Sequence, residues 1–516
     1  MDKRTPFNVL MILADQMNAN WLGCAGHPQA QTPNLDAFAA SGIRFTEAHC
    51  QNPICTPSRV SILSGQYCQN HGYYGLSGPA PKGLNNLFRH FGRQGYRTAA
   101  YGKLHLPEAP RNWIADDVDV FGDSYENADG VFGASSFLED LERKGLRHLE
   151  DSWHNLQNYG KPSIPIDAMP SELPLEETQE MWCARETMDF ILDYIDHPFC
   201  VQVAFQKPHH PLLPNIRFWN QYPSDLELPA DWDVCQSHRA PHFQKRWREW
   251  RDYPPEFGHS DDTFEDFVRR CWRGTLACVS QIDYVFGQLM EFLRVNDLEK
   301  NTIVIFGSDH GAYHGHMGIL EKAPGICSDQ VCKVPSLWRV PGLTRGGSCC
   351  SQLVENIDMT STLSSLCNLR EFDSGDGKDL TGLLGGEDYP VRDVSVTENV
   401  WSKALRWKHW RFVHYQEECF PGEDVGELYN LLNDPQETRN LYKDPSYRNV
   451  VEDCRRQLLE WLIRTRRTVT TQCSLSDEVH LATPGHRSCI YPLGGDGTAP
   501  NAAQAYNRSD IHEMYR

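Results

Sequence analysis

Three apolar segments spread along the chain restrict its fold more than any other feature of the sequence. They occupy residues 8–13, 199–205 and 302–306, and a weaker segment occupies residues 96–101. Unbroken apolar runs of this length are typical of strands that are buried on both faces of a parallel sheet. We therefore predict an α/β domain in which these four segments are strands of one covered sheet.

Helical patterns lie between the apolar segments. One begins at Thr32-Pro33, where threonine suits the N-cap and proline suits the first turn, and Gly42 can end it. Residues 182–194 and 272–293 carry apolar side chains at helical spacing. Strands that alternate with helices predict a mainly parallel sheet sandwiched by helices.

The pattern changes near residue 390. Residues 404–415 and 427–431 are typical of short antiparallel strands, and residues 447–464 are typical of a helix. We therefore divide the chain into an α/β domain at residues 1–390 and a smaller C-terminal α+β subdomain at residues 391–516. The stretch from Gly494 is predicted to be a loose tail or an arm on a neighbouring subunit, so a homo-oligomer is possible.

Charge and composition exclude several classes of protein. The formal net charge of −20 argues against nucleic-acid binding, because phosphate backbones demand a basic face. The apolar run at residues 9–14 is too short for a signal peptide, and no run approaches the length of a membrane span. A cytoplasmic protein without membrane contact is therefore expected. The 18 cysteines lack zinc-ligand spacing and are expected to be reduced, with Cys55 as an exception.

Polar residues follow two of the predicted strands. Asp15-Gln16 comes after the first strand, and Asp309-His310 comes after the strand at residues 302–306. Open α/β sheets bind ligands at such strand ends, and mainly oxygen ligands favour a hard cation such as calcium or magnesium. Each feature alone also fits an ordinary cap or turn. Their occurrence together with the Cys55 segment is much harder to explain structurally.

The segment Cys55-Thr56-Pro57-Ser58-Arg59, continuing to Gly65, resembles in full the signature of type I sulfatases. These are formylglycine-dependent enzymes of the alkaline phosphatase-like superfamily, which also includes phosphonate monoester hydrolases. The resemblance extends to about residue 465 and implies the alkaline phosphatase-like fold with a C-terminal antiparallel-sheet subdomain. Further segments follow the family's order: Thr32 to Asp36, Gly42 to Phe45, Gly102 to His105, Lys207 to Pro211, Ser308 to Gly311, Lys322, and Glu427 to Leu431.

The resemblance implies a metal centre with a modified nucleophile. Asp15, Gln16, Asp309 and His310 would hold one divalent cation, with residue 55 completing the shell. In the family, a maturation enzyme oxidises the residue at the Cys55 position to formylglycine. Gln16 stands where many sulfatases have a second aspartate, as it also does in phosphonate monoester hydrolases. Calcium is the expected ion, and magnesium and manganese are alternatives.

The same resemblance assigns basic residues to the ester. Arg59 lies about one helical turn from Cys55 and would fix the hydrated formylglycine, and a helix that starts near Ser58 would direct its positive end at the anion. Lys103 and His105 are separated by one residue in an apparently extended segment, so they are expected to share one side of it. The family assigns this pair to anion binding and proton handling.

Four further residues are candidates for contact with the substrate. By resemblance, His209 would protonate the leaving oxygen and Lys322 would bridge the ester oxygens. Lys207 and His210 are candidate substrate-binding residues. For His210, as for His314 and His316, a position in a solvated loop is the simpler interpretation.

The leading functional hypothesis is hydrolysis of a sulfate monoester of a carbohydrate or a small organic alcohol. A phosphonate monoester or phosphodiester hydrolase on the same fold is the closest alternative. A non-catalytic metal-binding member of the family is a further alternative, although such a protein has no need of the basic residues around Cys55. A two-metal phosphatase would need more histidine and aspartate ligands than the sequence places near the sheet.

Overall fold

The computed structural model describes residues 6–76, 78–79, 83–107, 113–124, 135–150, 168–234, 237–251, 263–322, 327–370, 372 and 375–466. The strands in these residues are β1 (Asn8–Ala14), β2 (Ile43–Phe45), β3 (Ala48–His49), β4 (Arg97–Gly102), β5 (Val120–Asp123), β6 (Phe199–Ala204), β7 (Thr302–Ser308), β8 (Ser336–Arg339), β9 (Ser348–Cys350), β10 (Val354–Glu355), β11 (Val394–Glu398), β12 (Ser402–Trp407), β13 (Trp410–Tyr415) and β14 (Gly426–Asn430). The α-helices are α1 (Pro33–Ser41), α2 (Cys55–Ser64), α3 (Cys68–His71), α4 (Leu87–Gly92), α5 (Ser136–Arg143), α6 (Arg147–Glu150), α7 (Gln179–Asp193), α8 (Ile216–Trp219), α9 (Pro241–Arg251), α10 (Phe264–Val295), α11 (Asp329–Cys332), α12 (Asp358–Leu366), α13 (Thr381–Leu384) and α14 (Arg448–Thr465).

The main sheet has eight strands in the order β5-β4-β6-β1-β7-β8-β2-β9. The strands β5, β4, β6, β1 and β7 run parallel to one another. The next strand, β8, runs antiparallel to both β7 and β2. In the middle of the sheet, Leu10 of β1 is paired with Val201 of β6 on one side and with Val304 of β7 on the other. The four strands predicted from apolar runs are confirmed, and so is the α/β fold with a mainly parallel sheet.

Helices cover both faces of this sheet, which explains the unbroken apolar runs. Leu10 and Ile12 of β1 belong to one hydrophobic cluster, together with residues of α1, α7 and α10. Val9 and Met11 belong to a second cluster on the other face, with residues of α2, α4 and α12. Since alternate residues of a strand point to opposite faces, β1 is apolar from Val9 to Ala14. Burial of each such side chain stabilises the fold by about 1.5–3 kcal/mol.

The predicted helix after Thr32 is confirmed, but Thr32 does not cap it through its side chain. Its hydroxyl donates a hydrogen bond to Asp36 and accepts one from the Gly23 N–H. The Asp283 carboxylate accepts the first N–H groups of α1 instead, including that of Leu35 at 2.7 Å. The predicted helix at residues 272–293 begins earlier, at Phe264, because Thr263 and Asp266 form a capping box there.

The C-terminal part of the described chain forms a separate antiparallel sheet in the order β11-β12-β13-β14. Helix α14 contacts this sheet, and its Trp461 packs edge-on against Tyr67 of the larger part at 4.9 Å between ring centroids. The predicted strands and helix of this region are confirmed, and the domain boundary near residue 390 stays a prediction. The stretch from Gly494 lies outside the described residues. None of the helices in the described residues has both the length and the apolar character needed to cross a lipid bilayer.

Candidate active site

Two carboxylates meet at the carboxyl end of the central strands. Asp15 follows β1 and Asp309 follows β7, and these strands are parallel neighbours. Cys55 is the first residue of α2, three positions earlier than the helix start expected near Ser58. One potential ligand atom from each of Asp15, Cys55, Asp309 and His310 lies within 4.8 Å of the others, and all four residues are buried. The structure thus brings together four of the five residues that the sequence assigned to a metal site.

The two carboxylates of this cluster fit a hard divalent cation, because such ions prefer oxygen ligands. Burial raises the pKa of Asp15, but Lys103 and further basic neighbours lower it by more, so the pKa lies well below its usual range. Asp15 is therefore ionised, as a metal ligand must be. His310 donates from Nδ1 to the Gly311 carbonyl at 2.9 Å, which leaves its Nε2 lone pair for a ligand.

Gln16 lies beside the cluster with its side-chain oxygen facing a lysine. Its Oε1 accepts a hydrogen bond from Lys322 Nζ at 2.6 Å. Its backbone N–H donates to Asp309 Oδ1 at 3.0 Å, and its φ of 67° places it in the left-handed region. The predicted role of Gln16 as a metal ligand stays a prediction, since the structure gives its oxygen a lysine partner.

Cys55 lies at the centre of the cluster. Its Sγ is 3.1 Å from His310 Nε2 and 3.6 Å from Asp15 Oδ1. Burial, and then the charge of Asp15, raise the pKa of the thiol to about 11 despite the nearby Lys322 and Lys103. The unmodified side chain is therefore a neutral thiol in this environment, and a neutral thiol is a weak nucleophile.

Arg59 connects the two carboxylates. Its Nε lies 2.9 Å from Asp309 Oδ2, its Nη2 lies 3.0 Å from Asp15 Oδ2, and its side chain is 1% exposed. Lys103 Nζ lies 2.8 Å from the same Asp15 oxygen, and the Lys103 carbonyl accepts a hydrogen bond from Arg59. Two buried cations thus balance two buried carboxylates, and Arg59 holds the ligands in place one turn after Cys55.

Three buried histidines belong to the same electrostatic environment: His105, His209 and His210. Burial is the main cause that lowers the pKa of each, and nearby lysines lower it further, so all three imidazoles are neutral. His209 Nδ1 lies 2.6 Å from the His210 carbonyl and donates to it, which leaves the Nε2 lone pair of the neutral ring free to accept a proton. The expectation of an extended segment around His105 is wrong, because its φ is 44°.

Lys207 forms an ion pair outside the cluster at Cys55. Its Nζ pairs with Glu180 of α7 at 3.0 Å. Lys207 and Pro208 form a turn, so the alternation of an extended chain does not place Lys207 beside His209. The predicted contact between Lys207 and the substrate stays a prediction, and the structure pairs the Lys207 side chain with Glu180. Sequence reasoning also missed Glu180, because a glutamate near the start of an amphipathic helix resembles an ordinary solvent-facing residue.

The neighbouring histidines differ from their expected solvated positions. His210 is buried, and His314 is also buried and donates from Nε2 to the Gln16 carbonyl at 2.7 Å. His316 is half-buried and pairs through Nδ1 with Asp231 at 2.9 Å. The prediction of solvated loops is therefore wrong for His210 and His314. For His314, the close spacing to Asp309 in the sequence was the available signal.

Comparison with known proteins now identifies the group to which this site belongs. Residues 7–369 match the family model described as Sulfatase, which is more than half of the chain. The chain belongs to the sulfatase family. Its predicted membership is confirmed, as is the prediction that it is a sulfuric ester hydrolase. Members of this family generally use a metal ion and formylglycine. Residues 325–464 of this sulfatase match the model described as N-sulphoglucosamine sulphohydrolase, C-terminal.

Three known proteins illustrate the similarity. The arylsulfatase of Clostridium perfringens (strain 13 / Type A) is 26% identical over 478 residues, which cover 88% of this chain and 94% of the relative. The crystal structure of the phosphonate monoester hydrolase of Agrobacterium radiobacter superposes with a TM-score of 0.73 at 21% identity, covering 92% of this chain and 99% of that one. The structure of a third protein, which contains its substrate D-glucosamine-2-N,6-O-disulfate, superposes with a TM-score of 0.67 at 18% identity. The superposition covers 89% of this chain and 98% of that one. These superpositions confirm the alkaline phosphatase-like fold.

Proposed function

We propose that this sulfatase hydrolyses sulfate monoesters of saccharides or small organic alcohols, with residue 55 acting as formylglycine. The observation that carries the proposal is the position of Cys55 Sγ, which lies 3.1 Å from His310 and 3.6 Å from Asp15. A thiol is a soft ligand and fits poorly among carboxylate oxygens, whereas an aldehyde hydrate offers two hydroxyl groups. The position of Cys55 therefore supports an oxygen nucleophile at this point.

Formation of that nucleophile is a two-electron oxidation of Cβ. The Cβ–S bond breaks, sulfur leaves as hydrogen sulfide, and a maturation enzyme transfers two electrons to dioxygen or another external acceptor. Water then adds to the aldehyde and gives the hydrate. Because Cys55 is 2% exposed in the folded chain, we propose that the maturation enzyme acts before folding is complete.

In the first chemical step, one hydrate oxygen forms a bond to the ester sulfur. A divalent cation held by Asp15, Asp309 and His310 would supply the positive charge that polarises this oxygen. Lys322 neutralises the charge on the sulfuryl oxygens, and Lys103 neutralises the charge of Asp15. As this bond forms, the attacking hydroxyl releases its proton to solvent and the sulfur–oxygen bond to the alcohol breaks. His209 Nε2 takes up a proton from solvent and delivers it to the leaving oxygen.

In the second step, the remaining hydroxyl of the hydrate loses its proton. The carbon–oxygen bond to the sulfate then breaks, inorganic sulfate leaves, and the aldehyde forms again. His105 lies in the same buried environment and is the proposed proton acceptor for this step. This elimination requires a second hydroxyl group on the carbon that carries the sulfate, and a serine ester has no such hydroxyl.

A saccharide sulfate is the proposed substrate class. The family model matched by residues 325–464 carries the name of a sulphoglucosamine hydrolase, and one similar structure holds a glucosamine disulfate. We further propose calcium as the ion and a cytoplasmic location. The expected homo-oligomer stays a prediction.

A phosphonate monoester hydrolase is the second candidate, and the observation that favours it is Gln16. A neutral amide at this position lowers the negative charge beside the cation, and the chain superposes on a phosphonate monoester hydrolase with a TM-score of 0.73. Both candidates share the nucleophile, so only the preferred ester separates them.

Peptide mass spectrometry across position 55 tests the nucleophile. After expression with an active maturation enzyme, we expect the peptide that contains Cys55 to lose about 18 Da, as thiol-to-aldehyde conversion requires. A fully intact thiol in active enzyme would overturn the proposal. Turnover of a nitrophenyl sulfate and of a nitrophenyl phenylphosphonate is then compared on the same preparation. A higher kcat/KM for the phosphonate would assign the second candidate function.

A further inference from the structure

Lys207 forms a largely buried ion pair with Glu180, in the segment that also carries His209. Its Nζ lies 3.0 Å from Glu180 Oε2 and 3.2 Å from Oε1. The Lys207 side chain is 12% exposed and that of Glu180 is 0% exposed. Gln281 of α10 donates to the same Glu180 oxygen at 2.7 Å. The pair therefore fixes Lys207 to two long helices, α7 and α10.

The electrostatic environment of Lys207 favours its charged form. Burial lowers the pKa of Lys207, but Glu180 outweighs this effect and raises the pKa above its ordinary value. Gln281 also accepts the Asn215 N–H through Oε1 at 2.7 Å, which orients its amide toward Glu180. A buried pair with this hydrogen-bond support holds one geometry, unlike a surface pair between mobile side chains.

The backbone of Lys207 belongs to the segment that carries the catalytic histidine. The Lys207 carbonyl accepts the Asp15 N–H at 3.3 Å, and the preceding Phe205 N–H donates to Leu13 of β1 at 2.8 Å. Two residues later, the His209 N–H donates to the Gln206 carbonyl at 3.0 Å. The side chain of Lys207 is thus fixed on the helices, while its backbone is fixed on a proposed metal ligand.

We propose that Lys207 is a positioning residue, whose ion pair with Glu180 orients residues 206–211 so that His209 reaches the leaving oxygen. This inference rests on the proposed function, because it concerns the proton donor of that reaction. Lys207 acts through the backbone of its segment and makes no contact with the ester. Misplacement of a catalytic group by about 1 Å can lower a rate about 100-fold.

The test uses a series of aryl and alkyl sulfates whose leaving groups differ in pKa. A nitrophenolate leaves without a proton, whereas an alkoxide requires one, so only poor leaving groups depend on His209. The variants are Lys207→Met, Glu180→Gln and the double variant. Lys144→Met is the matched control, because Lys144 is also a lysine in ion pairs, with Asp140 and Glu177, but lies outside residues 206–211. Formylglycine content and the circular dichroism spectrum are measured for each preparation.

We expect Lys207→Met and Glu180→Gln to lower kcat for alkyl sulfates about 10- to 100-fold and for nitrophenyl sulfate less than about 3-fold. KM should change little, the double variant should match the single ones, and Lys207→Arg should recover part of the activity. Lys144→Met should behave as the wild type. His209→Ala should show the same dependence on the leaving group, which a general loss of folded enzyme cannot produce.

Three results would overturn the inference. An equal loss for all leaving groups would mean a purely structural role, and unchanged kinetics would mean no role. A raised KM in Lys207→Met with a normal Glu180→Gln would mean direct contact with the ester. Failure of the proposed function is a separate result, because the wild type would then not hydrolyse sulfates. In that case the same variants are tested on phosphonate esters with the same leaving groups.

Discussion

Replacement of Arg59 by methionine is the perturbation whose effect follows most directly from the structure. The guanidinium is 1% exposed and pairs with Asp15 at 3.0 Å and Asp309 at 2.9 Å. Methionine retains the length of the side chain but leaves two buried carboxylates with only Lys103 to balance them. Removing one partner of a buried ion pair costs about 3–5 kcal/mol. For a chain of this size that corresponds to a melting temperature lower by about 3–5 °C.

Calcium should restore much of this loss, because Asp15 and Asp309 are the proposed metal ligands. At about one hundred times its Kd, a bound ion stabilises the folded state by about 2.7 kcal/mol. Without Arg59 the two carboxylates attract a cation more strongly, so the calcium-dependent rise should exceed that of the wild type. Differential scanning calorimetry with and without calcium measures both effects.

Arg392→Met is the matched control for this experiment. Arg392 is also buried between two carboxylates, Asp358 and Glu355, away from the cluster at Cys55. Its replacement should lower the melting temperature by a similar amount, and calcium should raise that temperature only as much as in the wild type. An equal calcium response in Arg59→Met and Arg392→Met would refute the assignment of the cation to Asp15 and Asp309.

Three further predictions use other residues. Cys55→Ala should abolish turnover and change the free energy of unfolding by no more than about 1 kcal/mol, as kinetics and calorimetry can show; appreciable residual activity would exclude the nucleophile. Gln16→Asp should tighten calcium binding about 10-fold or more in calorimetric titration, because it adds a carboxylate beside the site; unchanged affinity would place residue 16 outside the metal shell. Burial lowers the pKa of His71 from 6.5 to about 3. The free energy of unfolding should therefore fall by about 2 kcal/mol between pH 6.5 and pH 5, because the unfolded chain takes up a proton there and the folded chain does not. His71→Asn, which keeps an acceptor for the Tyr73 N–H, should show a smaller pH dependence of the melting temperature, and an unchanged slope would contradict this.

Much of the fold could be predicted because the central strands are buried on both faces. Every position of β1 is buried and all but Asn8 are apolar, and its neighbours β6 and β7 are also buried throughout and mainly apolar. The direction of β8 could not be predicted, since its four residues are too few to carry a pattern. Its antiparallel pairing with β7 is set by tertiary contacts that no local sequence signal records.

The candidate site was predictable where strand ends determine position. Asp15 and Asp309 follow neighbouring parallel strands, so their meeting is a consequence of the topology. The orientation of Lys207 could not be predicted, because the turn at Pro208 reverses the alternation that an extended chain would have. Its partner Glu180 lies 27 positions away on a helix, at a spacing that carries no local signal.

The distribution of charge explains how a chain with a net charge of −20 can bind an anionic ester. Arg59 and Lys103 are balanced by Asp15 and Asp309, whereas Lys322 donates to the neutral amide of Gln16. The positive charge of Lys322 is therefore available to attract the anionic ester. A bound divalent ion would add two further positive charges. Surface charges are screened within about 8 Å at physiological salt, but buried charges are screened much less. The position of two buried cations and the half-buried Lys322, rather than the total charge, thus determines the attraction for the substrate.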